Sequence, residues 1–405
     1  MCLNCMNGSF WSRPIDAAGL SRRGLLRAGA LGAALPLFAA TVGRASETPA
    51  SAVGDFAAAV EDLVARAHSS ELAAHRVFAI DGRDLPWMDL GFAAHKGQQV
   101  TFLVTGRLWV ARPFDLWFPA GLVFHARSRG RAPIHSPGLD TGTMTAMYDG
   151  PVEVARSAGE FADDSGRLWT PEAAYRGQEV RIDGVALVWN GDAIAGLESL
   201  LRHGDVGGLV AAEIARLKRG RRLPDGWQDR LGFGAGAESF ERTAEGEIAC
   251  DCTGRASIIE RPLSAAFAAR PKLSWRWRMD VLPSAVAEDQ APFHDYLSIG
   301  VKFEDGQDLT YLWSAALPAG KVFRCPLPGW SAIETHMVLE TGTGAAGWRS
   351  FERDLAADYA EHIGGTARGI SHVWLLAITP FQRRRGACRY ADIRLVTTDG
   401  TDVRL

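Results

Sequence analysis

The period of apolar and polar positions changes several times along the chain, and each change marks an element. Residues 46–75 place Phe56, Val60, Leu63, Val64 and Ala67 at helical spacing, which predicts an amphipathic helix. From 76 to 190 the period shortens to two in runs such as "VTFLVTGRLWVA", "LVFHARSR", "RLWTPEA" and "EVRIDGVALVW", separated by Gly, Pro and Asp. Strands with no helices between them predict an antiparallel sandwich. Between 191 and 222 the helical period returns, first with Leu197, Leu200 and Leu201, then with Val206, Leu209, Val210, Ile214 and Leu217. Gly204 and Asp205 divide this stretch into two short helices, with Asp205 as N-cap. From 223 to 405 strands resume ("KLSWRWRMDVL", "DYLSIGVKFE", "LTYLWSA", "ETHMVLE", "HVWLLAIT", "CRYADIRLV"), interrupted by one helix, "DLAADYAEHIG", that ends at Gly364 and Gly365. The pattern predicts a mainly β protein: two antiparallel β-sandwiches, 76–190 and 223–405, joined by the short helical segment 191–222.

Within the second sandwich, "LSWRWRMD" (273–280) puts Leu273, Trp275, Trp277 and Met279 on one face and Arg276 and Arg278 on the other. A Trp side chain covers on the order of 200 Å², so exposing it forgoes ~5 kcal/mol at ~25 cal/mol per Å². The tryptophan face is therefore expected in the core, and the arginine face toward solvent or ligand. In "TYLWSA" Tyr311 and Trp313 share one face and Leu312 lies on the other. Because the Leu312 face suits the core equally well, the aromatic face is a candidate ligand platform. Tyr311 and Trp313, with Arg276, Arg278, Arg353 and Asp295 as polar anchors, would suit a sugar ring.

The N-terminus says where the protein works. "SRRGLLRAGALGAALPLFAATVGRAS" carries Arg22 and Arg23 before a mild apolar run, Ala28 to Val42, and ends in small residues at Gly43 and Ala45. This reads as a twin-arginine signal peptide over 1–45, recognised by the twin-arginine export machinery and leaving 360 residues in the periplasm or outside the cell. The run falls short of the ~20 residues a bilayer span needs, so no retained membrane span is expected. A formal net charge of -3 excludes the strong positive field of a general nucleic-acid binder. The basic run "RLKRGRR" (216–222) reads as a solvated helix end.

Candidate chemistry is sparse. Cys2 and Cys5 lie upstream of the twin arginines, and Cys250, Cys252, Cys325 and Cys388 read as buried thiols, with one disulfide open in an oxidising compartment. The ten histidines show no HExxH or other metal spacing, and no GxSxG is present, so no cofactor or metal is expected. "GTGAAG" (342–347) is a literal GxGxxG but is followed by a strand-like run, so it reads as a hairpin loop and not as a dinucleotide fingerprint. Should the protein be an enzyme, Asp295 with Asp354 or Glu352 could serve as acid and base on a glycan, as hydrolase or lyase. The competing reading makes Asp354 a helix cap and pairs Arg353 with a neighbouring acid. A structural envelope module without a small ligand is the third reading.

Residues ~225 to 397 resemble the bacterial domain-of-unknown-function family 3047. The resemblance rests on "LSWRWRMDVLP" (273–283), Asp295 opening "DYLSIGVKF", "TYLW" with Tyr311 and Trp313, and "ERDLAADYAEHIG" (352–364). It implies an exported sandwich and no particular activity. Where that family tends to carry an acidic loop like "DTDNT", this chain has "TPFQRRRGACRY" with Arg383, Arg384 and Arg385, which suggests an anionic ligand or plain solvation. "WMDLGFAAHKGQQVTFLVTGRLW" (87–109) and "ALVWNGD" (186–192) resemble the opening and close of the calcium-dependent galactose-binding lectin fold, which gives the sandwich prediction a jelly-roll or galactose-binding-like form. Asn190 and Asp192 are the positions this likeness could carry over as calcium ligands, and two oxygens fall far short of the six to eight that calcium takes. A glycan of the cell envelope is the ligand these features favour.

Overall fold

The computed structural model describes residues 53–405, apart from 84, 113–114, 129, 158–160, 170–171, 328 and 343–346. The expected signal peptide, 1–45, lies outside the described residues. Among the described residues no helix is long and apolar enough to cross a membrane.

The first unit begins with helix α1 (Val53–Ala67) and continues through β1 (Leu72–Ile80), β2 (Trp87–Ala94), β3 (Gln99–Ala111), β4 (Leu116–Pro119), β5 (Phe124–Ser128), β6 (Arg131–His135), β7 (Thr141–Thr145), β8 (Gly150–Arg156) and β9 (Val180–Trp189). One sheet has the order β1-β9-β3-β4 with β7 paired to β3, and the other β2-β8-β5-β6. Alternation along these strands sends Phe78, Phe102, Phe124, Val154 and Ile182 into the core between the sheets. "RLWTPEA" is not a strand. Leu168 makes an isolated bridge to Phe161, and Glu172–Arg176 turn into a short helix.

The segment 191–222 forms α2 (Ala193–Leu201) and α3 (Leu209–Arg219). The N-cap of α3 is Gly208 and not the expected Asp205, whose carboxylate nevertheless reaches from before the cap to accept the amides of Val210 and Ala211 (2.9 and 3.2 Å), and Asp192 caps α2 through Ala195. The two helices do more than connect. With α1 they cover the outer face of the first sheet, where Phe56, Leu63, Leu197 and Val210 pack on Leu103, Leu187 and Trp189. The basic run at the end of α3 is largely paired: Arg216 with Glu213, Lys218 with Glu198 and Arg219 with Glu238.

The second unit comprises β10 (Gln228–Asp229), β11 (Phe240–Arg242), β12 (Ile248–Thr253), β13 (Ala256–Ala266), β14 (Lys272–Val281), β15 (Tyr296–Phe303), β16 (Asp308–Ser314), β17 (Val322–Arg324), β18 (Glu334–Thr341), β19 (Arg349–Asp354), helix α4 (Leu355–His362), β20 (Gly369–Ile378), β21 (Arg385–Val396) and β22 (Asp402–Arg404). A seven-stranded sheet runs β10-β13-β20-β15-β16-β18-β17, and a six-stranded sheet runs β11-β12-β21-β14-β19 with β22 on β21. The pairing is antiparallel except between β16 and β18, which run parallel. The segment around "GTGAAG", of which 343–346 lie outside the described residues, follows β18 in one sheet and precedes β19 in the other; it is a crossover and not the expected hairpin. Trp275 and Trp277 lie in the core between the sheets, as their face predicts, against Tyr311, Trp313 and Tyr390.

The outer face of the seven-stranded sheet is covered as well. Leu312, Val338, Tyr296 and Leu376 meet Ala111 and Leu116 of the first sandwich in one apolar cluster. The Trp169 and Trp330 rings approach to 5.3 Å across this boundary, and Arg383 reaches over it to Asp115 (2.8 Å) and the Trp117 ring.

Candidate functional site

The aromatic strand face expected to hold a ligand is closed. Tyr311 is 0% and Trp313 2% exposed, because their side of β16 faces the six-stranded sheet, while Leu312 on the other side is sealed by the first sandwich. Tyr311 donates to Asp358 (2.7 Å), and Trp313 donates its indole N–H to the carbonyl of Gly342 (2.9 Å). Burial, then the Asp358 charge, pushes the Tyr311 phenol well above its ordinary range, so it stays a neutral donor. Arg353 is turned to the same carboxylate (2.8 Å) and is not an open anchor.

The three nominated carboxylates do not converge either. Asp295, buried at the entry to β15 in the seven-stranded sheet, accepts the backbone amides of Phe381 (2.9 Å) and Gln382 (2.6 Å). Burial lifts its carboxyl to about 7 against the pull of those amides. Glu352 and Asp354 stand on β19 of the opposite sheet, where Glu352 pairs with Lys272 in solvent (2.8 Å) and Asp354 caps α4 through the amide of Ala357 (3.0 Å). Each therefore has a local structural task. The two candidate calcium oxygens are likewise engaged: Asn190 donates to the Ser70 carbonyl (2.7 Å), and Asp192 is the helix cap.

Arg276 and Arg278 do stand on an open face, the outer side of the six-stranded sheet. Arg276 bonds Asp392 (2.7 Å) and Arg278 bonds Asp280 (2.8 Å). The half-buried Trp348 joins them, with the two guanidinium carbons 4.9 and 5.6 Å from its ring centroid. Two of the three arginines at 383–385 are also engaged, Arg383 with the first sandwich and Arg385 with Asp251 (2.7 Å).

A second constellation went unread in the sequence. His294 precedes β15, Cys325 follows β17, and Glu334 and His336 occupy one face of β18. Their relative exposures are 0, 1, 6 and 0%. One ligand-type atom from each lies within 4.8 Å of all the others. Cys325 Sγ is 3.4 Å from His294 Nε2, and Glu334 Oε1 is 3.4 Å from His336 Nε2. The His294 Nδ1 bond to the Glu288 carbonyl (2.6 Å) requires that nitrogen to donate, which leaves the Nε2 lone pair facing the cluster. Tyr296 donates to Glu334 (3.2 Å), and Phe323 stacks on the His336 ring with centroids 5.0 Å apart. Neither ring nitrogen of His336 has a hydrogen-bond partner.

The electrostatics follow from burial. It holds the His294 imidazole down to about 3, hence neutral, and with Glu334 it pushes the Cys325 thiol up. Burial alone would raise Glu334, but the adjoining His336 draws it below the ordinary carboxylate range. The signal available in the sequence was "ETH", a Glu and a His two apart in a strand run. Cys250, Cys252, Cys325 and Cys388 are all buried free thiols.

The solved structures similar to parts of the chain share little of its sequence. They include a PllA-like lectin, the EclA N-terminal domain (12% identity, covering 30% of this chain and 99% of that one, TM-score 0.23), and the xyloglucanase domain of NopAA, a type three effector from Sinorhizobium fredii, in complex with cellobiose (7% identity, 37% and 80%, TM-score 0.26). An exo-beta-agarase is a third (9% identity, 44% of this chain and 24% of that one, TM-score 0.21). At these scores the likenesses carry no argument about function. No curated protein sequence matches the chain. Residues 236–394, which hold nearly all of the second sandwich and the whole His-Cys-Glu-His cluster, match the model of a family described as a protein of unknown function, DUF3047.

Proposed function

We propose that the protein is exported by the twin-arginine route and binds a carbohydrate of the cell envelope on the open outer face of the six-stranded sheet. The observation that carries this reading is the grouping of the half-buried Trp348 with Arg276 and Arg278, whose guanidinium groups lie over its ring and bond the solvent-facing carboxylates of Asp392 and Asp280, so that a ligand would have to compete for these partners. A sugar needs both: a flat apolar surface for its C–H face and charged planar groups for its hydroxyls. The expected platform thus moves from Tyr311 and Trp313 to Trp348, while Arg276 and Arg278 keep their assigned place.

The test is a binding screen of residues 46–405 against envelope polysaccharides and their oligosaccharides, followed by titration. Saturable binding to one glycan class, lost in Trp348→Ala and weakened in Arg276→Ala with the circular dichroism unchanged, supports the reading. Binding to no glycan, or binding indifferent to Trp348→Ala, overturns it and leaves a structural envelope module.

A further inference from the structure

We propose that His294, Cys325, Glu334 and His336 hold a single divalent transition-metal ion, zinc by donor set, in a closed site between the two sandwiches. The inference stands apart from the glycan reading and concerns the opposite sheet of the second sandwich.

Two features of the cluster suit a metal cation. Glu334 is a buried carboxylate whose neighbours are the Tyr296 phenol, the Cys325 thiol and the His294 and His336 imidazoles. An ionised carboxylate so placed is costly unless a positive charge meets it. His336 is fully buried, and neither ring nitrogen makes a well-formed hydrogen bond, Nε2 having only the Glu334 carboxylate at 3.4 Å, although buried polar atoms are almost always satisfied. One ion answers both. With Glu334 and a Cys325 thiolate each contributing one negative charge, a divalent cation makes the centre neutral, and it supplies His336 with the partner it lacks.

The geometry suits a small tetrahedral ion. Bonds of about 2.0–2.3 Å to nitrogen, oxygen and sulfur set donors on a tetrahedron roughly 3.3–3.7 Å apart. The Cys325–His294 and Glu334–His336 separations, both 3.4 Å, already match, and the remaining ones lie within 4.8 Å. Sulfur and nitrogen donors argue against calcium or magnesium, which take oxygen. The supporting shell is also in place: the Glu288 carbonyl fixes the His294 tautomer with Nε2 free to ligate, Tyr296 holds Glu334, and Phe323 covers His336. Four protein donors, none more than 6% exposed, describe a closed structural centre without an open position for substrate. Such an ion would fasten the three-residue edge strand β17 to β18 and to the entry of β15.

The experiment uses the full chain. Metal content is measured after dialysis, and the chelated protein is then titrated with Zn²⁺ and Co²⁺. Expected are about one equivalent bound, a thiolate-to-cobalt charge-transfer band in the near ultraviolet, and a lower thermal midpoint after chelation. Cys325→Ser should abolish the band, whereas Cys252→Ser, a buried thiol outside the cluster, should keep it. Tyr296→Phe should weaken the metal by ~10–100-fold, as loss of an outer-shell partner does, which provides a readout should Cys325→Ser fail to fold. The proposal is overturned if the wild type binds no stoichiometric Zn²⁺ or Co²⁺, or if cobalt binds without the band and survives Cys325→Ser, as an ion on surface carboxylates would.

Discussion

Phe118 of the first sandwich meets Phe381 of the second edge to face, with ring centroids 5.6 Å apart. Phe381 is buried, and the loop that bears it is anchored from behind by Asp295. The contact belongs to the apolar cluster that closes the outer face of the seven-stranded sheet. Phe381→Ala should therefore cost about 3 kcal/mol by the usual penalty for emptying a buried aromatic site, and Phe381→Leu much less. Urea unfolding followed by tryptophan fluorescence reads this directly. An effect no larger than that of a surface substitution would mean the two sandwiches do not support one another.

A second contact between the units tolerates no side chain at all. A Cβ placed on Gly234 would sit 1.4 Å from the carbonyl oxygen of Ser136, which is backbone and cannot swing away. Gly234→Ala should force the sandwiches apart and destabilise by at least the ~1–3 kcal/mol of ordinary overpacking. Gly246→Ala makes a useful comparison: its added Cβ meets nothing within 4 Å, so its cost comes from a positive φ of 83° alone.

Acid should loosen the first sandwich. His125 is fully buried; its Nε2 faces the Ser157 carbonyl (3.3 Å) and its Nδ1 the Ser136 hydroxyl (2.7 Å), and burial holds the ring down to about 4. Since the unfolded chain binds a proton near 6.5, the unfolded state holds more protons between about 6.5 and 4. The stability contributed by the neutral ring is therefore complete above ~6.5 and is lost as pH falls through that window, by roughly 3 kcal/mol at its limit. Denaturant midpoints recorded from pH 7 to pH 4 should fall more steeply in the wild type than in His125→Asn. Parallel slopes would assign the acid sensitivity to other groups.

The two faces of β14 should respond by very different amounts. Trp277→Ala empties a site packed against Trp313 and Tyr390 and should cost about 3–5 kcal/mol. Arg276→Ala breaks an exposed pair with Asp392 and should cost about 1 kcal/mol or less. Thermal midpoints of the two variants would distinguish these outcomes within one experiment.

β14 was legible in the sequence because one of its faces is wet: alternation of Trp and Arg can only be satisfied one way round. β16 was not, because both its faces are buried, one under Trp275 and Trp277 and the other under the first sandwich. An apolar run with no polar face carries no information about which side meets what. The helices at 193–201 and 209–219 were readable from their stripe and from Asp205, yet their attachment to the outer face of the first sheet was not, because an amphipathic stripe does not name its partner. The His-Cys-Glu-His cluster was hidden for a topological reason. Glu334 and His336 share a strand face, but His294 and Cys325 are 31 positions apart and reach them only because β18 joins β16 in parallel and β17 folds back along its edge. Strand order of that kind is not written in any local spacing.

Asp295 grips main chain alone: its two oxygens take the amides of Phe381 and Gln382 and ask nothing of their side chains. A loop pinned in this way is an interchangeable part. Its side chains can be rewritten without moving it, so different loop sequences can occupy the same berth. In this chain the berth has been given over to docking, with Phe381 and Arg383 both turned toward the neighbouring sandwich.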